Sequence, residues 1–314
     1  MSTTNILWVA FGIVITAIFI LDVGVFNRRS HEPSFREALT WTLLWVFLAV
    51  AFMIGIALSL GTTKAMEFLA GYLIEESLSV DNLFVFIMIF SYFHVPKRLQ
   101  PKVLKWGIIG ALVMRGIFIA GGIALFQRFH WIIYLFGLIL IITGIRMAFG
   151  GGEEIHPEKN LLVRLVRRFF PITKRIRNDR FFIRKRGVVA TTPLFLTLVV
   201  VESSDLIFAI DSIPAVLAVS RDPFIVYTSN VFAIMGLRSL YYLLSNVMGM
   251  FAYLKLGVSV ILAYVGVKML LSDTPYAIPL TASLGVIFGV LVVSIATSIM
   301  FGGEKNGHPP RPRE

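Results

Sequence analysis

Six carboxylates interrupt two otherwise apolar stretches of this chain: Glu75, Glu76 and Asp81 in the first, and Glu202, Asp205 and Asp211 in the second. An uncompensated Asp at the centre of a bilayer costs roughly 2.5 to 3.5 kcal/mol even on the lenient insertion scale, so six acids in two apolar runs must face one another, a cation or water. Asn82 follows Asp81, Ser212 follows Asp211, and Ser77 and Ser204 lie close by, so the donors on offer are carboxylate, amide, hydroxyl and main-chain oxygen. Oxygen-only donor sets suit manganese, calcium or magnesium and disfavour zinc and copper. The chain has no Cys, and its five His are without ligand spacing, which fits the same preference.

Spacing adds geometry. Residues six apart on a straight helix are turned by about 240°, whereas residues seven apart nearly share a face, as Glu75 and Asn82 or Asp205 and Ser212 would. Pro214, three residues after Asp211, removes a backbone donor, and a kinked or unwound turn near Ile210–Asp211 would expose carbonyl oxygens beside the carboxylates. Arg115 and Arg238 are the cations within apolar runs that can compensate the acids. Pairing to hold a bundle together is one role for them. Occupying the acids as tethered cations when no metal is bound is another.

The elements that must position these groups are membrane helices. At 57% hydrophobic and 15% charged, with mean hydropathy +0.83, the 314 residues lie outside the range of soluble chains, which excludes a soluble enzyme. Nine apolar runs recur, at 6–26, 38–60, 66–93, 105–126, 131–149, 188–219, 224–244, 251–271 and 278–301. They lack the alternation of barrel strands, and backbone in hydrocarbon must satisfy its own hydrogen bonds, so all nine are expected to be helices of one transmembrane domain, residues 1–301.

Positive charge sets the expected orientation. Between Glu153 and Arg186 stand eleven Lys/Arg against four Asp/Glu, which accounts for most of the net charge of +11 and reads as a cytoplasmic loop, not as a nucleic-acid surface. Arg28, Arg29, Arg36, Lys97, Arg98, Lys102, Lys105, Lys305, Arg311 and Arg313 fall on the same side, and only Lys64, Arg128 and Arg221 on the other. The N-terminus is then outside and the C-terminus cytoplasmic. Within the loop, 161–170 reads either as a basic amphipathic segment on anionic lipid or as a solvated linker. Asp22 sits where snorkelling suffices, Glu76 has only Leu206 as its counterpart in the repeat described next, and 302–314 reads as a disordered tail.

Self-similarity organises the rest. Glu75 and Asp81-Asn82 in the third run match Asp205 and Asp211-Ser212 in the sixth; Arg115 in the fourth matches Arg238 in the seventh; Gly144-Ile145-Arg146-Met147 in the fifth matches Gly266-Val267-Lys268-Met269 in the eighth. Three matches in one order define two three-helix units, 66–149 and 188–271, joined by the basic loop 150–187. An odd number of spans per unit makes the second insert opposite to the first, the inverted 3+3 repeat of many secondary transporters.

The stretches Glu75-Glu76-Ser77-Leu78-Ser79-Val80-Asp81-Asn82-Leu83-Phe84 and Val201-Glu202-Ser203-Ser204-Asp205-Leu206-Ile207-Phe208-Ala209-Ile210-Asp211-Ser212-Ile213-Pro214, with Asp222-Pro223-Phe224 through Gly236-Leu237-Arg238, resemble the signatures of the TerC family of bacterial membrane proteins, its Alx-like branch in particular. The likeness covers roughly residues 5 to 301. It implies a multi-pass protein of the cytoplasmic (inner) membrane, related to the LysE-type transporter superfamily, that exports manganese, in a family first named for tellurium resistance. By position, the family's acidic residues fall on Glu75, Asp81, Glu202, Asp205 and Asp211, with Asn82 and Ser212 following the two aspartates.

The expectation is therefore a divalent-cation exporter without enzymatic activity or resident cofactor. Its ligands are Glu75, Asp81, Asn82, Glu202, Asp205, Asp211 and Ser212, Arg115 and Arg238 compensate charge, and Glu75, Asp81, Asp205 and Asp211 form one mid-membrane oxygen cage. Proton antiport is a further expectation. A non-transporting scaffold or sensor in a metal, tellurium or alkaline stress response, and a calcium transporter, remain open beside it.

Overall fold

The computed structural model of the chain describes residues 3–21, 34–129, 131–149, 161–169, 171–173, 179–185, 188–247, 253–272 and 274–301. Asp22, much of the basic loop and the 302–314 tail lie outside these residues, as does the side chain of Asp81. Within them the chain is α1 (Thr3–Leu21), α2 (Phe35–Leu60), α3 (Thr62–Tyr92), α4 (Gln100–Arg128), α5 (Ile132–Phe149), α6 (Leu161–Phe169), α7 (Pro193–Leu217), α8 (Pro223–Val247), α9 (Leu254–Leu270) and α10 (Leu280–Phe301), with one antiparallel hairpin of β1 (Phe182–Lys185) and β2 (Val188–Thr191).

Among the described residues, five helical segments are long and apolar enough to cross a membrane: Phe35–Leu60, Lys97–Leu125, Ile132–Phe149, Pro193–Leu217 and Leu280–Ser298. The chain is a mostly helical, multi-pass membrane protein. Apolar side chains such as Phe47, Leu58, Ile117 and Val293 point outward from the bundle, as they do where lipid is the solvent. Two further long helices, α3 and α8, are more polar. At 1.5 Å per residue the 31-residue α3 is about 46 Å long and the 25-residue α8 about 38 Å, but α3 carries Lys64, Glu67, Glu75, Glu76 and Asp81, and α8 carries Thr228, Ser229, Asn230 and Arg238.

That polarity is placed inside. α3 packs on α7 and α8, and α4 packs on the same two helices, so the four make the centre of the bundle. α2 lies over α3 and α8, and α10 over α9 and α3. Trp8, Phe11, Phe52, Phe68, Phe224 and Phe232 interlock edge-on and tilted, tying α1 and α2 to the centre. Gly61, with φ +93°, takes the left-handed conformation that turns the chain from α2 into α3.

α5 and α9 cross at backbone contact. A Cβ on Gly144 would lie 2.7 Å from the Ser259 carbonyl oxygen and 2.9 Å from the Ala263 nitrogen; a Cβ on Gly266 would lie 2.6 Å from the Gly137 carbonyl oxygen and 3.0 Å from the Ile141 nitrogen. Small residues permit this approach, which supplies packing energy where no hydrophobic force separates helix from lipid.

Two expectations need correction. Residues 188–191, read as the start of a span, are strand β2; the helix begins at Pro193, whose missing N–H costs nothing in a first turn. And α7 runs without a break through Pro214 to Leu217, so the unwound turn near Ile210–Asp211 is absent. Pro214 removes one backbone bond close to the helix end, while Ile213 to Leu217 are all buried and the Ala218 N–H donates to the Pro214 carbonyl at 3.0 Å, holding the last turn in place.

Candidate functional site: a buried ion-pair cluster at the bundle centre

Arg115 is the hub. It stands near the middle of α4, only 2% exposed, and its guanidinium reaches across to both acid-bearing helices. Nη1 donates to Glu75 Oε2 on α3, and Nη2 donates to Asp205 Oδ1 on α7 at 3.1 Å, with Nε 3.5 Å from Asp205 Oδ2. Glu75 is 1% and Asp205 4% exposed, and both also lie near the middle of their helices. Three ionised groups so far from water persist only as a paired, hydrogen-bonded set.

The set is closed by two polar neighbours. Asn230 on α8 donates Nδ2 to Glu75 Oε1 at 2.5 Å and accepts from Arg115 Nη1 at 3.1 Å, so one amide satisfies an acid and a base together. Ser212 Oγ lies 3.5 Å from Arg115 Nη1. Formally, Glu75, Asp205 and Arg115 sum to one negative charge.

The other acids are distributed around this cluster. Asp211 accepts from Thr143 Oγ1 of α5 at 3.0 Å and faces that helix, because on an unbroken α7 it is turned about 240° from Asp205. Glu202 sits one turn before Asp205 in a notch of α4: a Cβ on Gly110 would stand 2.2 Å from its Oε1, and one on Gly107 3.8 Å. Among the described residues its Oε2 is buried without a hydrogen-bond partner. A small cavity lined by Gly107, Ala111, Val201, Phe86, Glu202 and Asp205 joins that carboxylate to the cluster. Glu76 points to the seam of α3, α8 and α2, where a Cβ on Gly236 would lie 3.5 Å from its Oε1.

Of the expected ligands, then, Glu75, Asp205 and Ser212 meet at Arg115, Glu202 is adjacent through the cavity, and Asp211 is directed to α5. Asn82 is buried on α3 and Arg238 half-buried on α8, two turns beyond Asn230. Ser77 and Ser204 donate their hydroxyl hydrogens back to the carbonyls of Leu73 and Val200 on their own helices. Among the described residues no three His, Asp or Glu stand close enough together to hold a metal ion. The guanidinium occupies the space between Glu75 and Asp205. Asn230, Thr143 and Gly110 are functional candidates that the sequence reading did not single out. For Asn230 the signal was available, as an amide in a span beside an intramembrane arginine in the matching one.

The chain matches the model of the integral membrane protein TerC family over residues 60–306. It is 46% identical over 304 residues to an uncharacterised membrane protein of Myxococcus xanthus, covering 97% of this chain and 94% of the relative. It is also 46% identical over 300 residues to an Escherichia coli K12 protein provisionally named membrane-bound redox modulator Alx, with 93% of each chain covered. A Rickettsia bellii membrane protein is 35% identical over 293 residues, 93% of this chain and 97% of the relative. No solved structure matches. With its polar groups gathered inside an apolar helical bundle and these likenesses running nearly end to end, the chain belongs to the TerC family of integral membrane proteins.

Proposed function

We propose that the protein is a divalent-cation transporter of the cytoplasmic membrane, exporting manganese, and that the Glu75–Arg115–Asp205 cluster is the cation-binding centre in its unloaded state. The observation that carries this reading is the pair of buried carboxylates from two matching helices held on one guanidinium. Their two negative charges equal those of a divalent ion, whereas Arg115 supplies one positive charge. The residual charge, deep in a low-dielectric bundle, favours exchange of the tethered cation for a doubly charged one. Oxygen donors from Glu75, Asp205, Ser212 and Asn230 suit a hard ion, with Glu202 beside them through the cavity.

In this reading the nine apolar runs each cross the membrane, with the N-terminus outside, and spans three to five and six to eight form two oppositely inserted units. What supports the repeat is reciprocity: Gly144 against Ser259 and Ala263 becomes, on adding 122 residues to the α5 members, Gly266 against Gly137 and Ile141, which is the other half of the same contact. A two-fold relation requires such self-complementarity. α3 on α8 and α9 likewise mirrors α7 on α4 and α5. Rocking of one unit against the other exposes the centre to alternate sides, and protons returning to the carboxylates expel the ion.

The second reading is a membrane scaffold or sensor in which the acids only hold the bundle together. Its support is that Arg115 already engages both carboxylates. The redox name of the Escherichia coli relative would fit a regulatory part too, although the absence of Cys excludes thiol chemistry within this chain. Purified protein in liposomes loaded with a manganese-sensitive dye separates the two. Flux with no other protein present, abolished by Glu75→Gln or Asp205→Asn, supports transport; absence of flux from well-folded protein supports the scaffold. Calcium added in competition tests the ion preference.

A further inference from the structure

The loop between α5 and α7 contains a built module at one end of the bundle. α6 packs on α7, burying Val163 and partly burying Val166. The hairpin is fixed to the first turn of α7 by Phe182 against Phe195, ring centroids 4.5 Å apart, and by Thr192 Oγ1 donating to the Arg180 carbonyl at 2.8 Å. On the other side, Lys102 at the start of α4 lies over the Phe181 ring at 4.9 Å, and Arg98 pairs with Asp179 at 3.6 Å. The module is thus anchored to the first turns of α4 and α7, two helices long and apolar enough to cross a membrane.

Its outer surface is of mixed chemistry. Leu165, turned by about 200° from Val163 on α6, is 50% exposed, flanked by the exposed Arg164 and Arg168. On the hairpin, opposed residues share a face; Ile183 and Ala190 turn inward, while the opposed Arg184 and Val189 turn outward, with Val189 48% exposed. A water-facing linker has no reason to hold large apolar side chains outward between guanidinium groups. A surface that inserts Leu165 and Val189 among acyl chains and sets its arginines on phosphate has both reasons.

We infer that α6 and the β1–β2 hairpin form a docking surface for the anionic headgroup layer of the protein's own membrane. Charge complementarity selects this occupant: the segment 153–186 carries eleven Lys/Arg against four Asp/Glu. The inference is independent of what the bundle transports.

Because the chain has no Cys, single nitroxide labels can be placed on full-length Leu165→Cys and, separately, Val189→Cys. Each is reconstituted in phosphatidylglycerol-rich vesicles and in pure phosphatidylcholine vesicles, and collision with oxygen and with a water-soluble nickel chelate is read by electron paramagnetic resonance. Docking gives oxygen-rich, nickel-poor labels in the anionic vesicles. The signature shifts toward aqueous in phosphatidylcholine, at high salt, and when Arg164, Arg168 and Arg184 are all changed to Gln. Labels equally aqueous in both lipids overturn the inference, as does spin–spin broadening that places a second copy on this surface.

Discussion

Glu75 and Asp205, on different helices and 130 positions apart, accept hydrogen bonds from the two ends of one guanidinium, that of Arg115. Each acid is thereby paired with a group tethered to a third helix, and the structural and functional readings of the cluster meet in that one side chain.

Removing it tests both. Arg115→Gln leaves two buried carboxylates without their cation, and breaking a buried pair costs about 3–5 kcal/mol. The thermal midpoint of the detergent-solubilised variant falls accordingly. If a metal ion can take the vacated place, manganese raises the midpoint of the variant more than that of the wild type. An equal response, or none, in both proteins argues for a purely structural pair.

Asn230 is the second support of the same acid. Asn230→Leu keeps the branched shape of the side chain and removes one donor to Glu75 and one acceptor from Arg115. Hydrogen bonds to charged groups are worth about 1.5–3 kcal/mol, so a loss of that order in unfolding free energy is expected. Thr143→Val removes a single bond to the half-buried Asp211 and costs about 1 kcal/mol or less, but it slows flux if Asp211 lies on the ion path. Thermal scans and liposome flux measured together separate the two effects.

Gly110 keeps room for Glu202. Its Ala variant puts a methyl carbon 2.2 Å from that carboxylate, so the end of the Glu202 side chain must swing aside, at the low end of the about 1–3 kcal/mol that overpacking costs. Shortening the partner in Gly110→Ala/Glu202→Ala relieves the clash, so the double variant is more stable than Gly110→Ala alone, a non-additivity that a double-mutant cycle reads directly. Additive losses would mean the notch is not there to seat Glu202.

The α5–α9 crossing gives a contrast between glycines. Gly266→Ala pushes a methyl into the Gly137 carbonyl, and backbone cannot step aside as a side chain does; Gly289→Ala meets nothing within 4 Å. The first lowers the thermal midpoint, and the second leaves it unchanged or raises it slightly, since Ala is favoured over Gly in a helix by up to about 1 kcal/mol. Equal effects would place the crossing elsewhere.

How much of this was legible in the sequence follows from which signals are local. Charged residues are rare in apolar runs, so Glu75, Asp205 and Arg115 stood out at once, and their spacing already paired the two acids. The same helical arithmetic separates Asp211 from Asp205 by about 240°; pooling both into one cage relied on a broken turn at Pro214, and α7 is unbroken there. Thr143 gave no signal, because one Thr in an apolar run is ordinary. The segment 161–170 advertised its amphipathic character and is helical over Leu161–Phe169, whereas the hairpin did not advertise itself. Its strands are four residues each and are held by Phe195, Lys102 and Thr192, contacts distant from any local pattern.

The most direct test of the central claim is manganese flux through purified protein in sealed liposomes, comparing wild type with Asp205→Asn at matched incorporation and matched thermal stability. The account predicts saturable flux for the wild type and none above empty vesicles for the variant. Undiminished flux in Asp205→Asn, or no flux from a correctly folded wild type, would contradict it.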